Sequence, residues 1–169
     1  MSSAAKFLLA RFLASLLWTV NGAQAQIVAL GASDVAGRGV TSSEAWPAQL
    51  EAMLAAKGKS VHITNAGVSG DTNAGMLSRL DSAVPDGTKI VLLDRFGGGW
   101  NARRLGKGSQ TAELAGIEAR LRSRNITVIP MWWNTALRKY MQPDGIHFTP
   151  EGHKLVAAKM LPSVMQVAR

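Results

Sequence analysis

The chain has 169 residues, 47% of them hydrophobic and 18% charged, with 19 Lys and Arg against 11 Asp and Glu and no cysteine. That length suits one domain, and the balance is that of a packed globular protein, which excludes a disordered or fibrous chain. The missing cysteines exclude thiol catalysis, Cys-ligated metals and disulfides, so stability has to come from packing.

The first 25 residues differ from the rest. Lys6 and Arg11 lead into the apolar run "FLASLLWTV", and "AQA" at 23–25 places small residues where a signal peptidase reads them. The run is too short for a bilayer span, which takes roughly 20 residues. The pattern therefore predicts a secretory leader over 1–25, cleaved between Ala25 and Gln26. The domain would then occupy 26–169, in the periplasm or outside the cell, with no stable membrane insertion once the leader is gone. Removing 25 of the 169 residues leaves 144, enough for a single core.

Four short apolar runs follow, at 27–32, 61–67, 89–94 and 126–132, and read as buried strands of a parallel sheet. Between the first two, Trp46, Leu50, Met53 and Leu54 recur at helical spacing, and Lys57 and Gly58 give the stop. Residues 72–83 read as a weaker helix ended by "PDG" at 85–87. Leu114, Ile117 and Leu121 form another helical stripe ended by Asn125. Thr149, Pro150 and Glu151 predict the cap of a last helix running to about 168, which Pro162 should bend or interrupt. Alternating strands and helices imply βαβ units and a three-layer α/β/α sandwich, with ligands outside the carboxyl ends of the strands. The polar, glycine-rich segments at 31–39, 65–75, 97–108 and 142–149 can converge on that edge. Met76, Met131 and Met141 read as packing residues.

The net charge of +8 favours anionic partners, such as an envelope lipid surface or an acidic polysaccharide. The basic residues are scattered and do not interleave with aromatics, and no nucleic-acid-binding signature is present, so nucleic acid is not an expected partner. A solubilising surface charge accounts for the scattered pattern more simply.

The turn "GASDVAGRG" after the first strand permits three readings: a phosphate cradle, a presented nucleophile, or a plain strand end. Its glycines at 31, 37 and 39 fit no dinucleotide fingerprint, and the Gly-Lys-Ser/Thr of a P-loop is absent. A serine nucleophile needs an imidazole base, an acid to orient it and donors for an oxyanion. "DGIH" at 144–147 supplies Asp144 and His147 three residues apart, just before the last helix. His62, inside a predicted strand, and His153, along the last helix, read as structural.

Taken in order, four blocks give the chain a resemblance to the SGNH hydrolases, the GDSL-type lipase and esterase superfamily. The likeness is to the branch containing bacterial thioesterase/lysophospholipase and arylesterase enzymes. "GAS" at 31–33 is similar to the GDS block, and the resemblance implies that Ser33 is the nucleophile. "NAGVSGDT" at 65–72 resembles the second block, implying a backbone N–H donor at Gly70. "GWN" at 99–101 resembles G-x-N-D, implying Asn101 as the side-chain oxyanion donor beside the N–H of Ser33, and Gly106 lies at a spacing expected after that block. "DGIHFTPEGH" at 144–153 resembles the last block, implying Asp144 as orienter and His147 as base.

Three departures stand out. The Asp of GDS is Ala32, with an acid at Asp34 on the other side of the serine, and the Asp of G-x-N-D is Ala102. The stretch from Asn101 to Asp144 has room for one helix and one strand where the family has more, which implies a flavodoxin-like sheet shortened to about four strands and a more open cleft. Trp100 can line an acyl pocket. Trp132 and Trp133 can flank the cleft as an aromatic platform, or cap the sheet core, the simpler reading because strand alternation sends only one of them to each face.

The expected activity is an exported serine esterase acting on small-molecule or glycan-linked acyl esters, thioesters or O-acetyl groups through Ser33, His147 and Asp144. No metal or organic cofactor is implied. The alternatives are a catalytically weak domain of the same fold that binds acylated polysaccharide or lipid, and an acyltransferase using the same site.

Overall fold

The computed structural model describes residues 26–168. The expected leader lies outside the described residues. Strands β1 (Gln26–Gly31), β2 (Ile63–Gly67), β3 (Thr88–Leu93) and β4 (Thr127–Pro130) form one parallel sheet in the order β2-β1-β3-β4. This is the shortened flavodoxin-like sheet expected from the sequence.

The central strands β1 and β3 are buried on both faces, which is why they read as continuous apolar runs, while the edge strands β2 and β4 are only partly covered. Ile27 and Ala29 of β1, with Ile90 and Leu92 of β3, face a cluster built on α2 (Trp46–Ala56) and α7 (Pro150–Val167). Val28, Leu30, Val91 and Leu93 face the opposite cluster, built on α3 (Asn73–Ser78), α4 (Leu80–Ala83) and α6 (Thr111–Ser123). The period-2 alternation of two adjacent strands thus sorts four residues to each helical layer.

The chain leaves β1 toward β2 and then returns to place β3 on the other side of β1, so the order reverses between β1 and β3. A doubly wound sheet opens its crevice at that switch, outside the carboxyl ends of the strands. Two short helices stand there: α1 (Ser33–Ala36), directly after β1, and α5 (Gly97–Arg104), directly after β3.

Four local outcomes differ from the sequence pattern. The expected helix over 72–83 is broken at Arg79 into α3 and α4. Residues 97–104, expected as a glycine-rich connection, form α5. Their glycines serve close packing, since a Cβ on Gly98 would lie within 2.4 Å of both the Asn73 amide oxygen and the Met76 methyl. β4 ends at Pro130 instead of reaching 132: Met131 N–H still donates to Leu93 at 2.8 Å, but Trp132 N–H turns to the Met160 sulfur at 3.0 Å. Finally, α7 runs through Pro162 to Val167 without interruption. The carbonyl that Pro162 leaves without a donor belongs to Ala158; both residues are exposed, so water can satisfy it.

His153, on the first turns of α7, is fully buried and structural in role. Its Nδ1 accepts the Trp46 backbone N–H at 3.2 Å and its ring meets Phe148 edge-on at 5.7 Å. Burial pushes its pKa down to about 4; repulsion from His147 adds to this and Glu44 partly opposes it. A proton on Nδ1 would also remove the acceptor for Trp46. Because the folded value lies below the unfolded one, stability is fully present above about pH 6.5 and declines as the pH falls toward 4, by up to about 3 kcal/mol. Thermal melts of wild type and His153→Gln across pH 7 to 4 should show a steeper loss in the wild type. Parallel curves would remove His153 as the cause.

Candidate active site

Ser33 is the first residue of α1, placed by the carboxyl end of β1, and it lines a cleft of about 730 Å³. Gly31 must be small: a Cβ there would stand 2.4 Å from Val35 and 2.5 Å from Asp94. Gly67, at the end of β2, is packed as tightly under α1, with the Ala36 nitrogen 2.1 Å from where its Cβ would be. Serine therefore emerges from a turn clamped on both sides.

The loop before α7 holds the second group. Asp144 Oδ1 accepts the backbone N–H groups of Ile146 (2.9 Å) and His147 (3.0 Å), and Oδ2 meets His147 Nδ1 at 2.5 Å. The side-chain bond from His147, then the two backbone bonds, hold the Asp144 pKa down to about 2, so it stays a carboxylate and can only accept. Nδ1 must then carry the ring hydrogen, which leaves the Nε2 lone pair free. Gly145 and Ile146, between these two residues, line the cleft. Among the described residues no hydrogen bond joins Ser33 to His147; in sites without substrate such bonds are often long and tighten only in the complex.

Asn101 projects from α5 into the cleft lining, and its Nδ2 donates to the Asp71 backbone carbonyl at 2.7 Å, leaving one amide N–H for a ligand. Asp71 is itself tied down: Arg79 donates to its Oδ2 at 2.7 Å and to the Gly31 carbonyl at 3.1 Å. Arg79 thus links the strand end that precedes Ser33 to the loop that positions Asn101. Gly70 occupies the exposed turn just before Asp71, in a left-handed conformation (φ 82°) that suits glycine, and lies outside the cleft lining.

The tryptophans separate. Trp133 stands in the cleft, 5.4 Å from Phe96, and Trp100 lines it with Arg104 stacked 4.7 Å over its ring. Trp132 is the correction: it packs against the α2/α7 cluster with Lys159 over its face, because β4 has already ended and its backbone N–H is bound to α7. Ala102 is buried on the inner side of α5.

Sequence reasoning missed Asp94. It is 1% exposed, at the end of β3, and its carboxylate accepts three backbone N–H groups: Ala32 at 3.3 Å, Phe96 at 2.9 Å and Gly97 at 3.0 Å. It caps α5 and holds the residue just before Ser33. The acid missing at position 32 is thus met from below by Asp94 and not by Asp34. Its sequence signal was an acid closing the apolar run "KIVLLD", where a buried strand has no use for a charge unless backbone donors surround it.

Asp34 lines the cleft beside Ser33 with Oδ1 buried and unpartnered. Burial first, then Asp94 and Asp144, push its pKa up to about 7, against a lowering bond from the Phe148 backbone. It is therefore neutral in mildly acidic solution and lacks the fixed charge needed to replace the GDS acid.

No family model matches the chain. It is 30% identical over 122 residues to Esterase TesA of Pseudomonas aeruginosa, an alignment covering 72% of this chain and 61% of that relative's length. The fold is shared with a crystal structure of TesA (TM-score 0.73, 21% identity, 83% of this chain and 98% of that one). It is also shared with the psychrotrophic esterase EstA from Pseudoalteromonas sp. (TM-score 0.71, 19% identity, 85% and 98%). The SGNH-hydrolase family esterase AlinE4 superposes with TM-score 0.62 at 24% identity over 86% and 97% of the two chains. The likeness to an esterase in sequence and the fold shared with these esterases agree with the resemblance to the SGNH, or GDSL-type, hydrolases carried by the four sequence blocks.

Two substitutions probe the support of this site. Asp94→Ala orphans three backbone donors, that of Ala32 buried and those of Phe96 and Gly97 part-buried, and should lower unfolding free energy by roughly 2–4 kcal/mol, read by denaturant titration; a change within error would mean the donors find other partners. Asp34→Asn should behave oppositely. A carboxyl raised from 3.8 to about 7 adds stability below its unfolded value and loses it as pH rises through the folded one, so the variant should gain thermal stability at pH 8 relative to pH 5. A gain independent of pH would contradict this.

Proposed function

We propose that this chain is a serine esterase that hydrolyses small acyl esters through Ser33, His147 and Asp144. The observation that carries the reading is the Asp144–His147 pair, locked in the tautomer that leaves Nε2 as a base, at the edge of the cleft lined by Ser33. In the reaction His147 Nε2 takes the Ser33 Oγ proton as Oγ bonds to the ester carbonyl carbon. The charge moves to the carbonyl oxygen, where the free amide N–H of Asn101 and the backbone N–H of Ser33 donate to it, joined by Gly70 if its turn closes over the substrate. Collapse expels the alcohol, which receives the proton from His147, and leaves an acyl-serine. Water, deprotonated by the same nitrogen, then releases the acid and restores Oγ–H. Asp144 keeps the ring oriented and stabilises its cationic form throughout.

Thioesters and O-acetyl groups on glycans are substrates of the same chemistry, and the open, four-stranded cleft favours small or surface-presented esters over long chains. We take residues 1–25 as a leader for export. The homologous and structurally similar esterases support the activity, while its substrate range is this chain's own.

A binding domain of weak activity is the second reading, favoured by Ala32 and Ala102 and by the absence of a Ser33–His147 bond among the described residues. Purified protein treated with a fluorophosphonate probe should be labelled in the wild type and not in Ser33→Ala, and short p-nitrophenyl esters should be turned over only by the former. No labelling of a folded wild type would overturn the esterase reading in favour of the binding domain. Asn101→Ala should lower kcat by about 10²–10³ and leave the melting temperature within a few degrees. A parallel collapse of stability would make Asn101 a structural link to Asp71.

A further inference from the structure

Several arginines outside the cleft lining meet a carboxylate. Arg79 pairs with Asp71 and Arg120 with Asp81, Arg122 lies 3.6 Å from Glu118, and Arg124 lies 3.5 Å from Asp86. Three further guanidinium groups line the cleft itself. Arg95 is neutralised by Glu118 at 2.9 Å, but Arg103, at the end of α5, and Arg138, in the 3₁₀ turn Thr135–Tyr140, have no carboxylate within 4.0 Å among the described residues. The acid that shares the lining, Asp34, is held toward its neutral form by burial. The remaining wall is largely apolar, with Trp100 and the Phe96–Trp133 pair prominent.

Two solvent-exposed cations on the lining of an apolar-walled cleft give it a positive, salt-sensitive potential, and guanidinium forks match the planar oxygens of carboxylates and the oxygens of phosphates. A neutral ester uses neither. We propose that the cleft is built for an ester that also carries an oxyanion, a carboxylate or a phosphate, held by Arg103 and Arg138 while the aromatic wall takes its apolar part. This names the substrate class of the esterase site and rests on Ser33 lying in the same cleft. The scattered net charge of the chain does not make this point; the unpaired arginines at the site do.

The test uses full-length Ser33→Ala protein titrated with benzoate, phenyl phosphate and neutral benzamide, followed by tryptophan fluorescence, beside Ser33→Ala carrying Arg103→Gln and Arg138→Gln. Either anion should bind about tenfold or more tightly than benzamide, with the advantage reduced in high salt and lost in the double arginine variant. The anion with the larger advantage identifies the source of the oxyanion. In the enzyme with Ser33 intact, the ratio of kcat/KM for 4-acetoxybenzoate over 4-acetoxybenzamide should fall by a similar factor when both arginines are replaced. Equal binding of anions and benzamide, or an advantage that survives the double substitution, would overturn the proposal. Hydrolysis of neutral esters through Ser33 without anion preference removes this inference and leaves the esterase. Anion binding without labelling or hydrolysis removes the esterase and leaves the anion site.

Discussion

Asp94 is buried where β1 and β3 end, and three backbone N–H groups converge on its carboxylate. A charge so placed is tolerable only because those donors replace its water. Once they do, the position of Ser33 and the start of α5 are set by the same group. The clearances around Gly31 and Gly97 show how tightly this is built, since a Cβ on either would lie 2.5 Å from an Asp94 atom. The crevice at the sheet's switch point is therefore rigid on its inner side, and its variable chemistry lies on the outer elements.

A second carboxylate works the other half of the site by the same means. Asp144 is exposed where Asp94 is buried, yet it too is held by backbone N–H groups, and it passes that order to the His147 ring. Between the two lies Asp34, with a buried oxygen and few donors, whose pKa moves in the opposite direction to that of Asp144. The local supply of N–H groups and water sets these two opposite directions for Asp34 and Asp144. Sequence position does not.

Arg79 extends the inner frame sideways, because one guanidinium reaches both the Gly31 carbonyl and the Asp71 carboxylate, and the Asp71 carbonyl in turn holds Asn101. Losing the acids of the family pattern at positions 32 and 102 has not left a hole. Ala32 and Ala102 are both fully buried, with Asp94 and the packed glycines of α5 taking up the polar and steric roles around them.

The strands and the pairing of Asp144 with His147 were legible in the chain, because each depends on residues a few positions apart, whose geometry the backbone largely dictates. The helix at Gly97–Arg104 was not, since its glycines answer to Asn73, Met76 and Ser109, which come from other segments. Trp132 left the cleft for the same kind of reason, turned by a bond to α7 that no strand pattern contains. The sequence alone determined a parallel α/β sandwich and the residue types for serine chemistry. Only the tertiary structure decided that Asp94 supports a turn 62 residues away and that Arg103 and Arg138 reach one cleft unpaired. Those arrangements arise when β1 and β3 align in register and bring distant chain ends together at the sheet's edge, which no local spacing encodes.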